Sequence, residues 1–278
     1  MPPSPAPANP SSNRPVALVT GAARRIGRAI ALELARAGHD VAVHYRGSAD
    51  EAEATVAELR GLGVRAEPFR ADLSDEAGCE ALVPAVVERF GRLDAVVNNA
   101  SLFEYDDPAS FGFAAMERHW RANTAAPVVL ARALHRHLQA AGRRGAVVNL
   151  LDQKLWNPNP DYLSYTLSKA ALESATTLLA QALAPMLRVC GVAPGVTLLS
   201  GEMSGDEFSA SHRMTPLGRS STPEDVARAV RFIVESPAIT GTTLLVDGGQ
   251  HLQPQPRDVM FLARDAAPAA PPPSPDTR

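Results

Sequence analysis

The sequence has few of the features that mark membrane, secreted or metal-binding proteins. Its 278 residues include only two cysteines, and aromatic residues make up 5% of the chain. Neither Cys79 nor Cys190 belongs to a CxxC or Cys/His cluster, so we predict reduced thiols and no metal site. No apolar run approaches the about 20 residues of a membrane span, and the Pro- and Ser-rich start lacks a signal-peptide core. We therefore predict a soluble, cytoplasmic protein that binds no membrane.

Charge and composition narrow the possible functions and the number of domains. A net charge of −3 and a pI near 6.2 argue against nucleic-acid binding, which needs a basic surface. The 45% apolar content suffices for one core, so we predict one folded domain at residues 15–252. Residues 1–14 and the Pro/Ala-rich residues 253–278 are predicted to be disordered tails. An apolar patch at 259–262 is either a stray docking segment or a strap over a subunit interface or site.

Short apolar runs alternate with longer amphipathic stretches along the predicted domain. Helical periodicity is found at residues 26–37, 50–61, 75–90, 111–141, 162–186 and 223–236. Runs of strand length lie at residues 16–19, 41–43, 64–69, 93–97, 146–151, 187–192 and 243–246. This alternation predicts an α/β fold with a parallel sheet covered by helices on both faces. Ligands of such sheets bind at the carboxyl ends of the strands.

A glycine turn follows the first predicted strand and opens a helix. Gly21 and Gly27 let the backbone approach a pyrophosphate, and the helix N-terminus supplies N–H donors. The second strand ends without the acid that binds the ribose of NAD. Arg46 and Ser48 stand there instead, and with Arg24 they suit a 2′-phosphate. We therefore predict NADPH/NADP+ as cofactor, the alternative being that Arg46 is only a solvated loop charge.

Two further strand ends suit the same cofactor. Asp72 and Leu73 end the third strand, where a short acidic turn can meet the adenine. Asn99 and Ala100 end the fourth, either as a simple turn or as a wall of the cofactor site. The position at a carboxyl end favours the wall.

The spacing of Asp152, Tyr165 and Lys169 indicates acid–base chemistry. Tyr165 and Lys169 are four residues apart in a helical pattern, so both side chains lie on one face. A tyrosine titrates near about pH 10, and we expect the Lys169 ammonium to lower that pKa enough for proton exchange. Tyr-x-x-x-Lys also occurs by chance in helices, but its place after a fifth strand favours a catalytic pair.

These motifs resemble the short-chain dehydrogenase/reductase family over the whole predicted domain. The matching features are the Thr-Gly turn, Asn98-Asn99-Ala100, Asn123, Tyr165-x-x-x-Lys169, Pro194-Gly195 and the closing Val246-Asp247-Gly248-Gly249. The resemblance implies a single-domain Rossmann-like doubly wound sheet of about seven strands, usually assembled as a homotetramer. It also implies that Tyr165 donates the proton, that Lys169 holds the nicotinamide ribose and that Asn123 anchors a water of the proton relay.

Two departures from the general family pattern point to one branch. Arg25 stands where most members have a third glycine, and Asp152 stands where most have a serine, thirteen residues before the tyrosine. Both departures, and the His44-Tyr45 pair near the cofactor phosphate, are similar to the pteridine reductases, which include bacterial dihydromonapterin reductases. That resemblance implies that Phe103 stacks the pterin against the nicotinamide. It also implies that Ser101 and Arg25 contact the pterin or the cofactor phosphates.

The predicted site is therefore extensive. Its catalytic residues are Asp152, Tyr165, Lys169 and Asn123. Its cofactor residues are Gly21, Arg24, Arg25, Ile26, Gly27, His44, Tyr45, Arg46, Ser48, Asp72, Leu73, Asn99, Ala100, Ser101, Tyr165, Lys169, Pro194, Gly195 and Thr197. Its substrate residues are Arg25, Ser101, Phe103, Asp152, Trp156 and Tyr165. We expect loop 198–214 to be a substrate lid, and Thr197 either binds a ligand or is a plain turn residue.

The residue at position 152 decides between substrate classes. A pterin C=N bond accepts hydride at carbon and a proton at nitrogen, and a carboxyl beside Tyr165 can relay that proton if burial raises its pKa. The alternative is that Asp152 only caps the loop before Trp156. The sequence thus predicts NADPH-dependent reduction of a dihydropterin to its tetrahydro form. Two alternatives remain: a carbonyl reductase of the 3-oxoacyl-carrier-protein reductase type, and a catalytically idle NADPH-binding regulatory protein.

Overall fold

The strands of the central sheet are short apolar runs buried on both faces. The computed structural model describes residues 13–199 and 204–265, and in it every residue of the first strand, Val-Ala-Leu-Val, is buried. Within these residues the sheet has seven strands: β1 Val16–Val19, β2 Asp40–Tyr45, β3 Ala66–Arg70, β4 Ala95–Asn98, β5 Gly145–Leu150, β6 Leu187–Pro194 and β7 Thr243–Val246.

All neighbouring strands pair in parallel, in the order β3-β2-β1-β4-β5-β6-β7. Val19 at the end of β1 lies opposite Val43 of β2 on one side and Val97 of β4 on the other. The strand order therefore reverses between β1 and β4. The predicted fold class is confirmed, and since the switch point of a doubly wound sheet opens the crevice that binds ligands, this crevice is the candidate site.

Helices cover both faces of the sheet. The helices of the described chain are α1 Arg25–Arg36, α2 Ala49–Gly61, α3 Glu76–Phe90, α4 Phe113–Trp120, α5 Ala126–Ala141, α6 Leu163–Ala182, α7 Gly205–Arg213, α8 Pro223–Glu235 and α9 Val259–Asp265. Val19 packs into one core with α1, α2 and α8, and Leu18 into a second core with α3 and α5, because successive strand residues point to opposite faces. None of these helices is both long and apolar enough to cross a membrane.

The long helix predicted at residues 111–141 is divided in the structure. A π-helical turn, Arg121–Ala125, separates α4 from α5 and contains the predicted catalytic Asn123. Single π turns inside α-helices are found frequently at functional sites. The periodicity of the sequence does not reveal the extra residue, since apolar positions continue on both sides.

The predicted lid is partly helical. Residues 200–203 lie outside the described part of the chain, and α7 occupies most of the segment between residues 204 and 214. A capping box starts α7: the Ser204 hydroxyl accepts from the Glu207 amide at 3.2 Å, and the Ser204 amide donates to the Glu207 carboxylate at 2.6 Å. This reciprocal pair satisfies amides that a helix start leaves unpaired, which explains a helix in a Ser- and Gly-rich segment.

The structured chain extends beyond the predicted domain end at residue 252. A short 3₁₀ turn at Gln250–Leu252 leads into residues 253–258 and then α9, where Val259 and Met260 are 4% and 8% exposed. These two apolar side chains of the patch at 259–262 are therefore buried against the domain. Residues 1–12 and 266–278 of the predicted tails lie outside the described residues.

Candidate active site

The glycine turn after β1 brings two backbone segments into close approach. Gly21 has a φ of +63°, a conformation that favours glycine. A Cβ at Gly27 would lie 2.2 Å from the Gly21 carbonyl oxygen and 2.6 Å from Asn99 Nδ2. Only glycine fits at position 27, and the start of α1 is thereby kept tight against the turn. The result is an N-terminal helix end facing the crevice, as pyrophosphate binding requires.

Neighbouring strand ends hold this turn in place. Thr20 Oγ1 accepts from the amides of Asn99 and Ala100, each at 2.9 Å, and Asn99 Nδ2 donates to the Thr20 carbonyl at 2.9 Å. On the other side the Gly21 amide donates to His44 Nδ1 at 3.1 Å, and His44 Nε2 lies 3.1 Å from the Ala71 carbonyl. Burial lowers the pKa of His44 to about 4, so the ring is neutral and supports the turn without adding charge.

A cleft of about 660 Å³ opens above the switch point. Of the predicted cofactor residues it is lined by Gly21, Arg24, Arg25, Ile26, Gly27, His44, Tyr45, Arg46, Ser48, Asp72, Leu73, Asn99, Ala100 and Ser101. Arg24, Arg25 and Arg46 are exposed there. Asp72 binds both the amide and the hydroxyl of Ser74, at 2.9 and 2.7 Å, and these hydrogen bonds lower its pKa. The lining fits a dinucleotide with an added phosphate.

Arg25 adopts a backbone conformation that its side chain disfavours. Its φ is +55°, which costs a non-glycine residue about 1–2 kcal/mol, and this explains why a glycine is usual at the position. The guanidinium Nη2 donates to the Leu199 carbonyl at 2.8 Å. The strained residue thus links the glycine turn to the start of the lid, and strain of this kind concentrates at ligand sites.

Tyr165 and Asp152, both predicted to be catalytic, are hydrogen-bonded to each other. The Tyr165 hydroxyl donates to Asp152 Oδ2 at 2.9 Å, while the Lys154 amide donates to Asp152 Oδ1 at 2.9 Å. Burial raises the pKa of Asp152. Burial first, and then the nearby Asp152 carboxylate, raise the pKa of Tyr165 well above its usual value. Both shifts favour the protonated forms of the pair.

Lys169 lies one helical turn beyond Tyr165 on the same face of α6. Its Nζ donates to the Leu150 carbonyl at 2.7 Å and lies 5.8 Å from the centre of the Tyr165 ring. Burial lowers the pKa of Lys169 to about 8, and Asp152 acts in the opposite sense. The expected lowering of the Tyr165 pKa by Lys169 is not found in this arrangement, since burial and Asp152 dominate.

Asn123 has all its hydrogen bonds within the protein. Its Oδ1 accepts from the Leu102 amide at 2.7 Å and from Ser101 Oγ at 3.2 Å, and its Nδ2 donates to the Leu102 carbonyl at 2.9 Å and Ser168 Oγ at 3.0 Å. The π turn thus ties the loop after β4 to α6. This side chain positions Ser101 beside the cleft, whereas anchoring of a relay water by Asn123 stays a prediction.

Aromatic side chains lie around Tyr165, the predicted proton donor. Phe103 stacks on Tyr162 with ring centres 4.2 Å apart and meets Tyr165 edge-on at 4.7 Å. Phe103 is 44% exposed and Trp156 is 39% exposed, so both retain surface for a flat ligand. Tyr105 meets Tyr162 edge-on at 5.1 Å. The arrangement offers aromatic faces beside Tyr165.

Three predicted cofactor residues have clear structural partners at the end of β6. A Cβ at Gly195 would lie 2.4 Å from Ser220 Oγ, so Pro194-Gly195 packs tightly against the neighbouring loops. Thr197 is buried, and its Oγ1 lies 2.7 Å from Ser221 Oγ and donates to the Gly195 carbonyl at 2.9 Å. None of the three lines the 660 Å³ cleft, and their cofactor contacts stay predictions.

Sequence reasoning missed the residues that brace the catalytic helix. Asp106 caps α6, because it accepts from the Ser164 amide at 2.9 Å and from the Ser164 hydroxyl. Tyr162 has a φ of +54° immediately before the helix, and Asp161 binds residues of the C-terminal segment. Their partners lie 58 to 97 residues away, so no local pattern identified them.

Comparison with known proteins agrees with this geometry. Residues 21–251 match the family model described as enoyl-(acyl carrier protein) reductase. A Streptomyces violaceoruber protein described as a ketoacyl reductase of granaticin polyketide synthase is 38% identical over 86% of this chain and 96% of its own. The 3-oxoacyl-[acyl-carrier-protein] reductase of Staphylococcus aureus is 33% identical over 85% of this chain and 98% of its own. The chain belongs to the short-chain dehydrogenase/reductase family.

A solved structure is similar over the same range. The alternative dihydrofolate reductase FolM of Brucella canis, crystallised with NADP, is 40% identical, with a TM-score of 0.80 over 87% of this chain and 96% of its own. It shares the fold of this protein over nearly its whole length.

Proposed function

We propose that this oxidoreductase reduces a dihydropterin to a tetrahydropterin. The observation that carries the proposal is the 2.9 Å hydrogen bond from the Tyr165 hydroxyl to Asp152. A ketone takes its proton at oxygen, and the serine that is usual at position 152 helps to stabilise the oxyanion that forms there. A C=N bond requires delivery of a proton to nitrogen, and a tyrosine paired with a carboxyl of raised pKa suits that delivery.

NADPH/NADP+ is the cofactor, and when bound it supplies the hydride. Gly21 and Gly27 provide the close backbone approach for its pyrophosphate, and Arg46 with Arg24 provides positive charge for its 2′-phosphate. The absence of an acid at the end of β2 removes the ribose acceptor that NAD enzymes use. The roles of these individual residues in binding NADPH remain proposals, which substitutions at Arg46 and Gly27 test.

The protein's own residues carry the proton. Tyr165 donates its hydroxyl proton to the substrate nitrogen, and Asp152, on the far side of that hydroxyl, passes a proton to Tyr165 in turn. Lys169, fixed on the Leu150 carbonyl at 2.7 Å, adds positive charge that stabilises the transient tyrosinate. Phe103 offers the planar pterin an aromatic face on which to stack.

Similarity to the Brucella FolM protein supports the pterin substrate, because that relative is named as an alternative dihydrofolate reductase and was crystallised with NADP. A second candidate has support as well. The Staphylococcus relative reduces a 3-oxoacyl carrier protein by its name, so the same Tyr165/Lys169 pair in this chain would serve a ketone. The carboxyl at position 152 favours the pterin.

The proposal is tested with NADPH that carries deuterium at the transferred position. We expect incubation with a dihydropterin to give a tetrahydropterin containing one deuterium, detected by mass spectrometry. A β-ketoacyl thioester supplied in parallel should give little labelled alcohol. Label in the alcohol with none in the pterin would assign the ketoacyl reaction instead.

We also propose a homotetramer, following the family resemblance. Leu167 and Leu178 on α6 are 44% and 64% exposed, which supports an assembly that covers this helix. Light scattering should give four times the chain mass of 29.4 kDa. A mass of one chain would contradict the proposal.

A further inference from the structure

Residues 253–265, which we call the C-terminal strap, run back over the catalytic half of the domain. Asn157 holds their start, because its Nδ2 donates to the Gln253 carbonyl at 2.7 Å and its Oδ1 accepts from the Gln255 amide at 3.3 Å. Asn157 follows the 3₁₀ turn Gln153–Leu155 that comes directly after Asp152. The strap is therefore attached to the loop that contains the catalytic carboxyl.

Buried charges fix the middle of the strap. Asp161 is 2% exposed, and its carboxylate accepts from Arg257 Nε at 2.8 Å and from the Asp258 amide at 2.7 Å. Lys154 is 3% exposed; its Nζ donates to the Asp161 carbonyl and lies 3.5 Å from the Asp258 carboxylate. Buried charges are costly without partners. Both receive partners from the strap, which explains why it adopts one position.

This attachment places Met260 at the catalytic tyrosine. Met260 forms one apolar cluster with Tyr162 and Tyr165, with 8%, 6% and 7% of these residues exposed. The next residue, Phe261, meets Tyr105 edge-on at 5.6 Å and lies 6.4 Å from Tyr162, centre to centre. The space beside Tyr165 is thus filled on one side by side chains of the strap.

The strap also contacts the lid. Helix α9 packs against α7, the helical part of the predicted lid segment. The catalytic tyrosine, the lid helix and the strap are therefore neighbours. A substrate whose ring reaches Tyr165 must direct its substituent past this group of side chains.

We propose that the C-terminal strap is a wall of the substrate pocket and that Met260 is a specificity-determining residue, which limits the substituent that a pterin can carry. This inference rests on the proposed function for its substrate class. Pterins with a short side chain fit beside Met260, whereas the long aminobenzoyl-glutamate substituent of a dihydrofolate meets the strap. Asp161 and Lys154 are positioning residues that hold the wall.

The test is the ratio of kcat/KM for dihydrofolate to kcat/KM for a dihydropterin with a short side chain. We expect Met260→Ala to raise this ratio about tenfold or more, since even one methylene in an apolar pocket changes discrimination by about 10-fold to 200-fold. Met260→Leu, of similar volume, should keep the wild-type ratio. Met186→Ala, which truncates a methionine immediately before β6, controls for a general loss of packing. The Kd for NADPH should be unchanged in Met260→Ala, Met260→Leu and Met186→Ala.

Asp161→Asn is an independent test of whether the C-terminal strap limits the substrate. Asparagine keeps an acceptor oxygen but has no negative charge, so Arg257 loses its ion pair at 2.8 Å, and the ratio should move in the same direction as in Met260→Ala. Unchanged ratios in both variants, with folded protein and normal NADPH binding, would overturn the inference. If wild-type enzyme reduces no pterin but reduces ketoacyl thioesters, the proposed function fails. The same variants then test the wall through the ratio of kcat/KM for a long acyl chain to kcat/KM for a short one.

Discussion

The Tyr165 hydroxyl donates to Asp152 Oδ2 across 2.9 Å, and both groups have pKa values raised by burial. Because burial favours the protonated form of each group, both can hold a proton at neutral pH, which is the state that the proposed relay requires. The chemistry expected of this protein follows from that relationship.

Tyr165→Phe removes the proton donor and leaves the ring. We expect kcat for reduction to fall by about 100-fold or more, the range that general acid catalysis contributes. Binding of NADPH, measured by nicotinamide fluorescence, should be unchanged because the glycine turn and Arg46 are untouched. A variant with full activity would refute the role of Tyr165.

The reduction rate should fall as pH rises through about 8. The pKa of Lys169 is lowered to about 8 by burial, so the ammonium is charged below that pH and loses its proton above it. Loss of the charge removes the stabilisation of a tyrosinate at Tyr165. A pH profile of kcat measures this limb, and a rate that stays constant well above pH 8 would show that the Lys169 charge is not needed.

Arg46→Ala tests the choice of cofactor. Arg46 stands exposed in the cleft at the end of β2, and loss of a charge-assisted hydrogen bond to a phosphate weakens binding about tenfold or more. We expect a weaker Kd for NADPH with no change for NADH. Arg132→Ala, which removes a surface arginine paired with Glu80, is the matched control. Equal effects on NADPH and NADH would contradict a 2′-phosphate contact.

Gly27→Ala tests the close approach under the pyrophosphate. Its Cβ would lie 2.2 Å from the Gly21 carbonyl oxygen, so the turn must open, and overpacking of this kind lowers the free energy of unfolding by about 1–3 kcal/mol. NADPH affinity should fall as well. Gly61→Ala, where no atom lies within 4 Å of the new Cβ, should be neutral or stabilising in the same denaturation experiment. Equal stability of the two variants would contradict the account of the turn.

Much of the fold was predictable because the strands are buried on both faces. Continuous apolar runs such as Val16–Val19 that alternate with helical stretches are typical of parallel strands covered on both faces, and the family match and the Brucella structure confirm that fold. The predicted cofactor residues that line the cleft lie at strand ends, where local sequence shows them.

The features that the sequence did not predict depend on contacts between residues far apart in the chain or on burial in the folded structure. The sequence left open whether residues 259–262 form a strap, because Asp161 and Arg257 are 96 residues apart and a Pro-rich segment shows no sign that two buried charges hold it. The helix α7 was missed because its only local signal is the Ser204–Glu207 capping box. The raised pKa of Tyr165 needs the three-dimensional burial that no spacing conveys.

The most direct test of the central claim is the substrate preference of Asp152→Ser. A serine restores the usual family residue and removes the carboxyl that we propose relays a proton to Tyr165. Consumption of NADPH is followed by absorbance, with a dihydropterin and with a β-ketoacyl thioester, for wild-type and variant enzyme. We expect the ratio of kcat/KM for pterin to kcat/KM for ketone to fall about 10-fold to 100-fold, within the range of acid–base effects. An unchanged ratio would contradict the account and reduce Asp152 to a cap of its loop.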